Sequence, residues 1–112
     1  MGERRSEKVR RRSQMQESQI VNKIIKYINQ TPRIKGFAWK NHGGLYGTKG
    51  LPDIMAVVRK SEKSFFLCFE VKTQTGKTTK IQERILERFR DLHIVAVVVR
   101  SLDEVKEVLE KL

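Results

Sequence analysis

Apolar residues recur along the chain at two different spacings, and the changes of spacing divide it into elements. Over 14–29 they follow the three- and four-residue spacing of an amphipathic helix. The proline at position 32 ends this helix, because the residue before a proline avoids the helical region. Three short runs rich in β-branched and aromatic residues predict strands, the last two paired as a hairpin: 36–41, 53–59 and 64–72.

The second half of the chain predicts a helix, a strand and a further helix. Apolar residues lie along one face of a helix over 81–91, and 93–100 is apolar enough for a central strand of a sheet. Ser101, with Glu104 three residues later, predicts a capping box that opens the last helix. The order is therefore α-β-β-β-α-β-α, and we expect one α/β domain over 14–112, built around a mixed central sheet.

The composition adds a strong positive charge to this picture. The chain has 112 residues, of which 33% are charged, and its formal net charge is +11. A domain this basic favours an anionic partner, with nucleic acid first and an anionic membrane surface second. No apolar stretch approaches the roughly 20 residues that cross a bilayer, so we expect no membrane partner. The single cysteine, Cys68, lies in an apolar run, and we expect it to be buried in a reduced, cytoplasmic protein.

Residues 1–13 form a basic segment ahead of the first helix, in which arginine and lysine far outnumber glutamate. Such a segment cannot bury enough apolar surface to fold alone. We therefore expect a mobile basic arm, which could become helical beside the first helix. Two uses of this arm are about equally compatible with the sequence: a solubilising tail, or a DNA-contacting arm that includes Arg10, Arg11 and Arg12.

Three residues form the arrangement that carries chemistry: Asp53, Glu70 and Lys72. Side chains two apart on a strand point to the same face, which joins Glu70 with Lys72. A hairpin brings Asp53, at the start of one strand, beside Glu70, at the end of its partner. Two adjacent carboxylates disfavour joint ionisation unless a cation neutralises them. With the backbone carbonyl of Val71 as a further oxygen ligand, they suit Mg²⁺, with Mn²⁺ as a substitute.

Each part of this arrangement has an ordinary structural explanation. A Glu-x-Lys pair at a strand end is usually a solvated ion pair, and Pro-Asp is usually a turn. The combination is more informative, because a metal ion held by the carboxylates would reconcile an acidic site with a basic protein. Such an ion polarises a phosphate and lowers the pKa of bound water. Lys72 could orient or help deprotonate that water, or stabilise the charge of a phosphorane-like transition state.

The same residues carry a resemblance to a known family. The pattern resembles the VRR-NUC branch of the PD-(D/E)XK nuclease superfamily, in particular its single-domain members from phages and bacteria, and covers nearly all of 14–112. Its parts are, in order, Gly50, Pro52, Asp53, a hairpin, Glu70, Lys72, and Gln82 on the next helix. The resemblance implies a metal-dependent DNA endonuclease in which Asp53 and Glu70 bind the metal. It implies further that Lys72 assists the nucleophilic water and that Gln82 supports the site.

Members of this family also carry a glutamate on the first helix, and Glu17 fits that position. It shares the inward face of Val21 and Ile24. The resemblance therefore implies that Glu17 is a metal ligand or supports the ligands. The alternative is a charge near the start of a helix, favoured there by the helix dipole.

Basic residues recur every four positions along the second predicted helix, and they indicate a surface that follows a phosphate backbone. Glu83 and Glu87 on the same helix favour the alternative of an ordinary solvated face. The predicted nucleic-acid contacts outside the arm are Lys49, Lys77, Lys80, Arg84 and Arg88.

These patterns define one expected function and its competitors. We expect a Mg²⁺-dependent DNA endonuclease and, as a finer expectation, a homodimer selective for branched DNA such as four-way junctions. The competitors are a non-catalytic nucleic-acid-binding module on a nuclease-like fold and a basic structural protein. Apolar residues that could form the dimer interface are Leu45, Tyr46, Leu51, Val105, Val108 and Leu109.

Overall fold

The fold is known from a computed structural model that describes residues 5–42 and 48–112. Within the first helix, the side chains of Arg5, Arg10 and 13–15 lie outside this description. The elements are α1 (Arg5–Gln30), β1 (Lys35–Lys40), β2 (Ile54–Lys60), β3 (Lys63–Val71), α2 (Lys80–Asp91), β4 (Val95–Val99) and α3 (Leu102–Glu110). The predicted fold class and order of elements are confirmed.

The four strands form one mixed sheet in the order β1-β2-β3-β4. β1 with β2 and β2 with β3 are antiparallel, and the β2–β3 hairpin turns through Ser61, whose φ of 57° lies in the left-handed region. β3 and β4 are parallel, because α2 crosses over one face of the sheet between them. β3 is therefore a central strand, and its last five residues are all buried.

Two apolar clusters hold the helices on opposite faces of the sheet. Successive side chains of a strand point to opposite faces. Leu67 and Phe69 of β3 accordingly pack with α1 and α3, whereas Cys68 packs with Leu86 of α2 and Ala96 of β4. The prediction that Cys68 is buried is confirmed, since none of it is exposed. The larger cluster takes its helical members from Val21, Ile24, Ile28, Val105 and Leu109.

The first helix begins at Arg5, well before the predicted start at residue 14. Arginine, lysine, glutamate and glutamine have high helix propensity, but this basic stretch lacks the apolar spacing by which the prediction placed the helix. Val9 illustrates this, since it is 56% exposed. Residues 1–4 of the predicted arm lie outside the described residues. In 5–42 and 48–112, no helix is apolar enough over a sufficient length to cross a membrane.

Two predictions near the end of the chain are wrong in detail. β4 begins at Val95 rather than at residue 93, because the amides of His93 and Ile94 bond back to carbonyls of α2. Ser101 caps α3, because its hydroxyl oxygen accepts the backbone N–H of Glu104 at an N···O distance of 3.2 Å. The predicted capping box is only half formed, however, since the Glu104 carboxylate accepts the backbone N–H of Arg100 at 2.7 Å.

Ile28 shows how closely α1 packs on the first strand. It is 1% exposed, and a Cβ added to Gly36 of β1 would lie 2.9 Å from its Cγ2 atom. Asn29 beside it bonds both backbone groups of Ala38, at 2.7 and 3.0 Å. These bonds satisfy two backbone groups at the outer edge of β1, beside which the described residues form no further strand.

Replacing Ile28 by alanine should lower the free energy of unfolding by about 2–5 kcal/mol, because the cavity left between α1 and β1 cannot close fully. Urea denaturation measures this loss. Ile81→Ala is the matched control, since Ile81 is also helical but 49% exposed, and it should cost less than about 1 kcal/mol. Equal losses in the two variants would contradict this packing.

Candidate active site

The hairpin register places Asp53 beside the end of β3. Ile54 pairs with Phe69, so Glu70 and Val71 extend beyond the first residue of β2. Asp53 lies beside this extension of β3, and its Oδ2 atom accepts the backbone N–H of Val71 at 2.7 Å. The backbone N–H and C=O of one strand residue point to the same edge. The Val71 carbonyl therefore lies on the side of Asp53.

The turn that leads to Asp53 is held from two directions. Asn41, after β1, donates its side-chain amide to the Pro52 carbonyl at 2.8 Å and its backbone N–H to the Asp53 carbonyl at 2.9 Å. Gly50 has a φ of 83°, and a Cβ there would lie 2.5 Å from Ile81 at the start of α2. The glycine thus lets the turn approach α2 closely while it delivers Asp53 to the sheet.

Glu70 is the most deeply buried charged residue of the site, with 2% of its surface exposed. Its Oε1 atom accepts the side-chain amide of Gln82 at 3.0 Å and lies 3.6 Å from the Lys72 ammonium. Its Oε2 atom is also buried and accepts no hydrogen bond from a donor among the described residues, although the Asp53 carboxylate lies close enough to share a proton with Glu70 when that group is protonated. One oxygen of the carboxylate is therefore positioned by the protein, and the other is left available.

Gln82 joins this carboxylate to the start of α2. Its Oε1 atom accepts the backbone N–H of Thr79 at 2.9 Å, and the Thr79 hydroxyl accepts the backbone N–H of Gln82 at 3.2 Å. This reciprocal pair is a capping box, with the glutamine at its third helical position. The spacing Thr79-x-x-Gln82 would have revealed it in the sequence, but our prediction placed the box only at Ser101.

Glu17 approaches the same end of the sheet from α1. Burial raises the pKa of the Glu17 carboxyl, and so does the nearby charge of Asp53, whereas Lys72 and a hydrogen bond from the Thr73 backbone lower it. These neighbours place Glu17 near Asp53 and Lys72 rather than on an outer helix face, although Glu17, Asp53 and Glu70 do not form a three-carboxylate metal site. The fold thus brings together all the side chains singled out as catalytic: Glu17, Asp53, Glu70, Lys72 and Gln82.

The pKa of Glu70 is raised to about 8, first by burial and then by the negative charge of Asp53, with Lys72 opposing. A carboxyl in this state favours a proton, or a cation in its place. No three His, Cys, Asp or Glu side chains among the described residues stand close enough to form a metal site by themselves. The donor set that fits is therefore Asp53, the free oxygen of Glu70 and the carbonyl of Val71, all hard oxygen ligands suited to Mg²⁺ or Mn²⁺.

Arg100, which we did not predict as a site residue, fixes the loop that follows Lys72. Its guanidinium donates to the carbonyls of Thr73 and, at 2.8 Å, of Gly76. These contacts hold the path of the chain between the end of β3 and the start of α2. No local pattern marks Arg100, since its partners lie on the far side of α2 in the sequence.

The predicted nucleic-acid contacts lie on the segments that lead into and out of the site. Lys77 and Lys80 flank the start of α2, where Gln82 lies, and Lys49 precedes the turn to Asp53. Arg84 and Arg88 continue along α2. All of these side chains are exposed, as are Arg11 and Arg12 on α1, whereas the Arg10 side chain lies outside the described residues.

Comparisons with known proteins agree on one family. The VRR-NUC domain family matches residues 5–103. A solved structure described as a VRR_NUC domain is similar with a TM-score of 0.63 and 26% identity, covering 85% of this chain and 95% of its own. Another, described as a VRR_NUC domain protein, has a TM-score of 0.64 and 17% identity over 84% of each chain, which supports the fold alone. No curated protein sequence matches significantly.

The raised pKa of Glu70 predicts how pH changes the stability of the metal-free protein. Between pH 4.5 and about 8 the folded state keeps a proton that the unfolded chain has lost, so the free energy of unfolding should fall as pH rises, by on the order of a few kcal/mol. Urea denaturation in a chelator measures this slope. Glu70→Gln should flatten it, whereas Glu62→Gln, in the exposed hairpin turn, should not. An unchanged slope in Glu70→Gln would contradict the assignment.

Proposed function

The chain belongs to the VRR-NUC domain family, and from this premise we propose that it is a divalent-metal-dependent endonuclease that hydrolyses phosphodiester bonds in DNA. The family makes the chain a nuclease-like module, for which DNA is the implied substrate and a divalent metal the implied cofactor. One observation carries the catalytic proposal: the buried Oε2 atom of Glu70 accepts no hydrogen bond from any donor among the described residues and lies at the same strand end as Asp53.

Mg²⁺, or Mn²⁺ as a substitute, would be held by Asp53, Glu70 and the Val71 carbonyl, with Glu17 as a supporting carboxylate. When bound, such an ion supplies a Lewis acid for the phosphate and lowers the pKa of a water ligand. The chain prepares these ligands in advance. Gln82 fixes Oε1 of Glu70, and the Val71 amide fixes Oδ2 of Asp53, so little rotational freedom remains to be lost on binding.

Lys72 supplies the positive charge of the chain itself at this point. Its side chain is only 12% exposed and its ammonium lies 3.6 Å from Glu70. Charges act more strongly where water is scarce. The ammonium can therefore orient the attacking water, or stabilise the negative charge that develops on the phosphate.

The competing function, a binding module without catalysis, has less support. A surface that only binds DNA gains nothing from a buried carboxylate, which repels phosphate and costs free energy to remove from water. Binding alone would be served by the exposed basic residues. The arrangement of Asp53, Glu70 and Lys72 at one strand end instead favours chemistry at the phosphate.

Asp53→Asn and Glu70→Gln should each abolish cleavage of duplex or branched DNA in Mg²⁺, because each removes a charged ligand of the ion. Lys72→Ala should reduce the rate by about 10²-fold or more, as loss of a single preorganised charge does in other active sites. Gel assays on labelled DNA measure the rates. Chelation should stop the wild-type reaction, and Ca²⁺ should support binding with little cleavage, since its larger shell is less strict in geometry.

Glu62→Gln is the matched control for these variants and should cut normally. Binding of uncut DNA by Glu70→Gln should stay close to that of the wild-type protein. Undiminished cleavage by either Asp53→Asn or Glu70→Gln would remove the proposed metal site. A wild-type protein that binds DNA tightly and cuts none would favour the binding-module alternative.

We propose that DNA follows the basic residues around the site. The helix α1 continues ahead of Glu17 to Arg5, which at 1.5 Å per residue projects it about 18 Å beyond that residue. This segment and the start of α2 could contact phosphates on both sides of the cleaved bond. The proposed contacts are Lys49, Lys77, Lys80, Arg84, Arg88, Arg10, Arg11 and Arg12.

Binding should therefore weaken linearly in log affinity against log salt, with a slope of several units for duplex DNA. Removing residues 1–12 should make the slope shallower without moving the cleavage position. Fluorescence anisotropy at a series of salt concentrations measures both. A truncated protein with the full slope would assign the segment to solubility only.

We propose further that the active form is a homodimer, in the cytoplasm, that cuts branched DNA. One domain presents one site, and a two-fold pair would match the near two-fold symmetry of a four-way junction. Of the residues predicted for the interface, Val105 and Leu109 are 0% and 5% exposed and belong to the core, and Val108 packs against it. Leu45 and Tyr46 lie outside the described residues, whereas Leu51 is 39% exposed.

Light scattering at micromolar concentration should give twice the mass of one chain, and a four-way junction should be cut faster than linear duplex of the same sequence. The doubled mass would follow from the association of two chains, and the faster cleavage of the junction from two sites held at a fixed separation. A monomer that cuts both substrates equally would defeat this part of the proposal and leave the nuclease assignment intact.

A further inference from the structure

Half of one sheet face carries aromatic side chains and has no helix over it in the described parts of the chain. On this face α2 packs against Cys68 and Ala96, on the β3–β4 side. Toward β1, Phe37 is 64% and Phe66 43% exposed. Trp39 lies between them, with ring centroids 5.5 Å from Phe37 and 6.4 Å from Phe66. We call this surface the aromatic face; its members are Phe37, Trp39, Val57 and Phe66.

One end of the aromatic face is strongly basic. Lys35 and Arg59 are register partners on β1 and β2, and the two-residue period places them on the same face as Phe37 and Val57. Just beyond them lies a pocket of about 490 Å³, which we call the basic pocket. It is lined by Pro32, Arg33, Ile34, Lys35, Arg59, Lys60 and Ser61, without any acidic side chain.

The other end of the aromatic face leads to the candidate active site. Asp53 directly precedes β2 and lies beside the end of β3, where Glu70 belongs to the same alternating set as Phe66. From Asp53 to Arg59 the strand covers about 20 Å. The active site and the aromatic face therefore follow one another along one surface of the sheet. The basic pocket lies at the far end of this surface, where the Lys60 ammonium also donates to the carbonyls of Leu109 and Glu110 at the end of α3.

We propose that the aromatic face binds an unpaired segment of the DNA strand that is cut, with bases stacked on the aromatic rings and phosphates directed to the basic pocket. The identity of that strand as the substrate rests on the proposed nuclease function. The substrate class is then DNA with a single-stranded segment of a few nucleotides next to the cleaved bond, as in a flap or an opened branch.

The chemistry of the aromatic face favours single-stranded DNA over duplex. In a duplex the base faces are stacked on each other, so a ring on a flat sheet cannot reach them. Unpaired bases stack readily on phenylalanine and tryptophan, whatever their sequence, while nearby cations hold the phosphates. A sheet with exposed aromatics and a basic border combines both features.

The charge of the same strands disfavours a second copy of the chain as the occupant. Glu70 is the only acidic residue in β1, β2 and β3, which are described throughout, whereas basic residues border the aromatic face. Packing two such faces around a two-fold axis would bring Lys35 and Arg59 of each copy close to those of the other. A polyanion instead complements this border.

Trp39 allows a direct test, because it is the only tryptophan in the sequence. A short oligothymidylate is titrated into the full chain carrying Glu70→Gln, in a chelator, so that binding is observed without cleavage. We expect saturable quenching of the Trp39 fluorescence, and much less with an equally long duplex. Phe37→Ala should weaken the binding by about fivefold or more, as loss of one stacked base does.

Leu92→Ala is the matched control, because Leu92 is 71% exposed but lies at the end of α2, away from the aromatic face. The affinity of this variant for the oligothymidylate should be unchanged. Lys35→Ala should lower the salt slope by about one unit, whereas Lys26→Ala, on exposed α1 surface, should not. Equal quenching by duplex, or equal affinity in Phe37→Ala and Leu92→Ala, would overturn the proposal. So would a doubled mass without DNA that Phe37→Ala abolishes, because a second copy would then cover the aromatic face.

Failure of the nuclease assignment gives a different result. If the wild-type protein cuts no DNA in Mg²⁺ while oligothymidylate still quenches Trp39, the base-binding surface stands and the proposed enzyme does not. If the protein cuts DNA while Trp39 gives no response to the oligonucleotide, the base-binding surface is wrong and the enzyme stands.

Discussion

The Glu70 carboxylate is buried at the end of a central strand, and the other residues of the site compensate for the cost of that burial. A charged group removed from water is costly unless it is paired. Gln82 and Lys72 compensate for one oxygen, and a raised pKa relieves the charge of the group as a whole. The second oxygen receives no hydrogen bond from a donor in the described parts of the chain. Asp53 adds a further negative charge nearby, which destabilises the metal-free protein and favours the binding of a divalent cation. The stability of the domain and its proposed chemistry thus depend on the same group.

Much of this arrangement could be predicted from local patterns. The order of the elements followed from where apolar residues change their spacing, and the polar turn between two β-rich runs fixed the hairpin. Once the hairpin is fixed, Asp53 must lie close to Glu70, and the two-residue period must put Lys72 on the same face. The inward position of Glu17 followed in the same way from its helical spacing with Val21 and Ile24.

What could not be predicted depends on contacts between distant parts of the chain. Arg100 reaches Thr73 and Gly76 only after β4 has aligned with β3. Glu104 accepts the backbone N–H of Arg100 rather than that of Ser101, which a capping box requires. Alternation in β1 and β3 shows that Phe37 and Phe66 share a face, but it cannot show that α2 leaves this half of the face uncovered. The basic start of α1 was placed in an arm because a helix without an apolar stripe gives no periodic signal.

Titration of Mn²⁺ into the protein in a calorimeter, without DNA, tests most directly whether the buried Glu70 carboxylate binds a divalent cation. The account predicts binding to the wild-type chain and to Glu62→Gln, and its loss in Glu70→Gln, although that variant remains folded. Unchanged Mn²⁺ affinity in Glu70→Gln would contradict the account, because the ion would then be held by other groups.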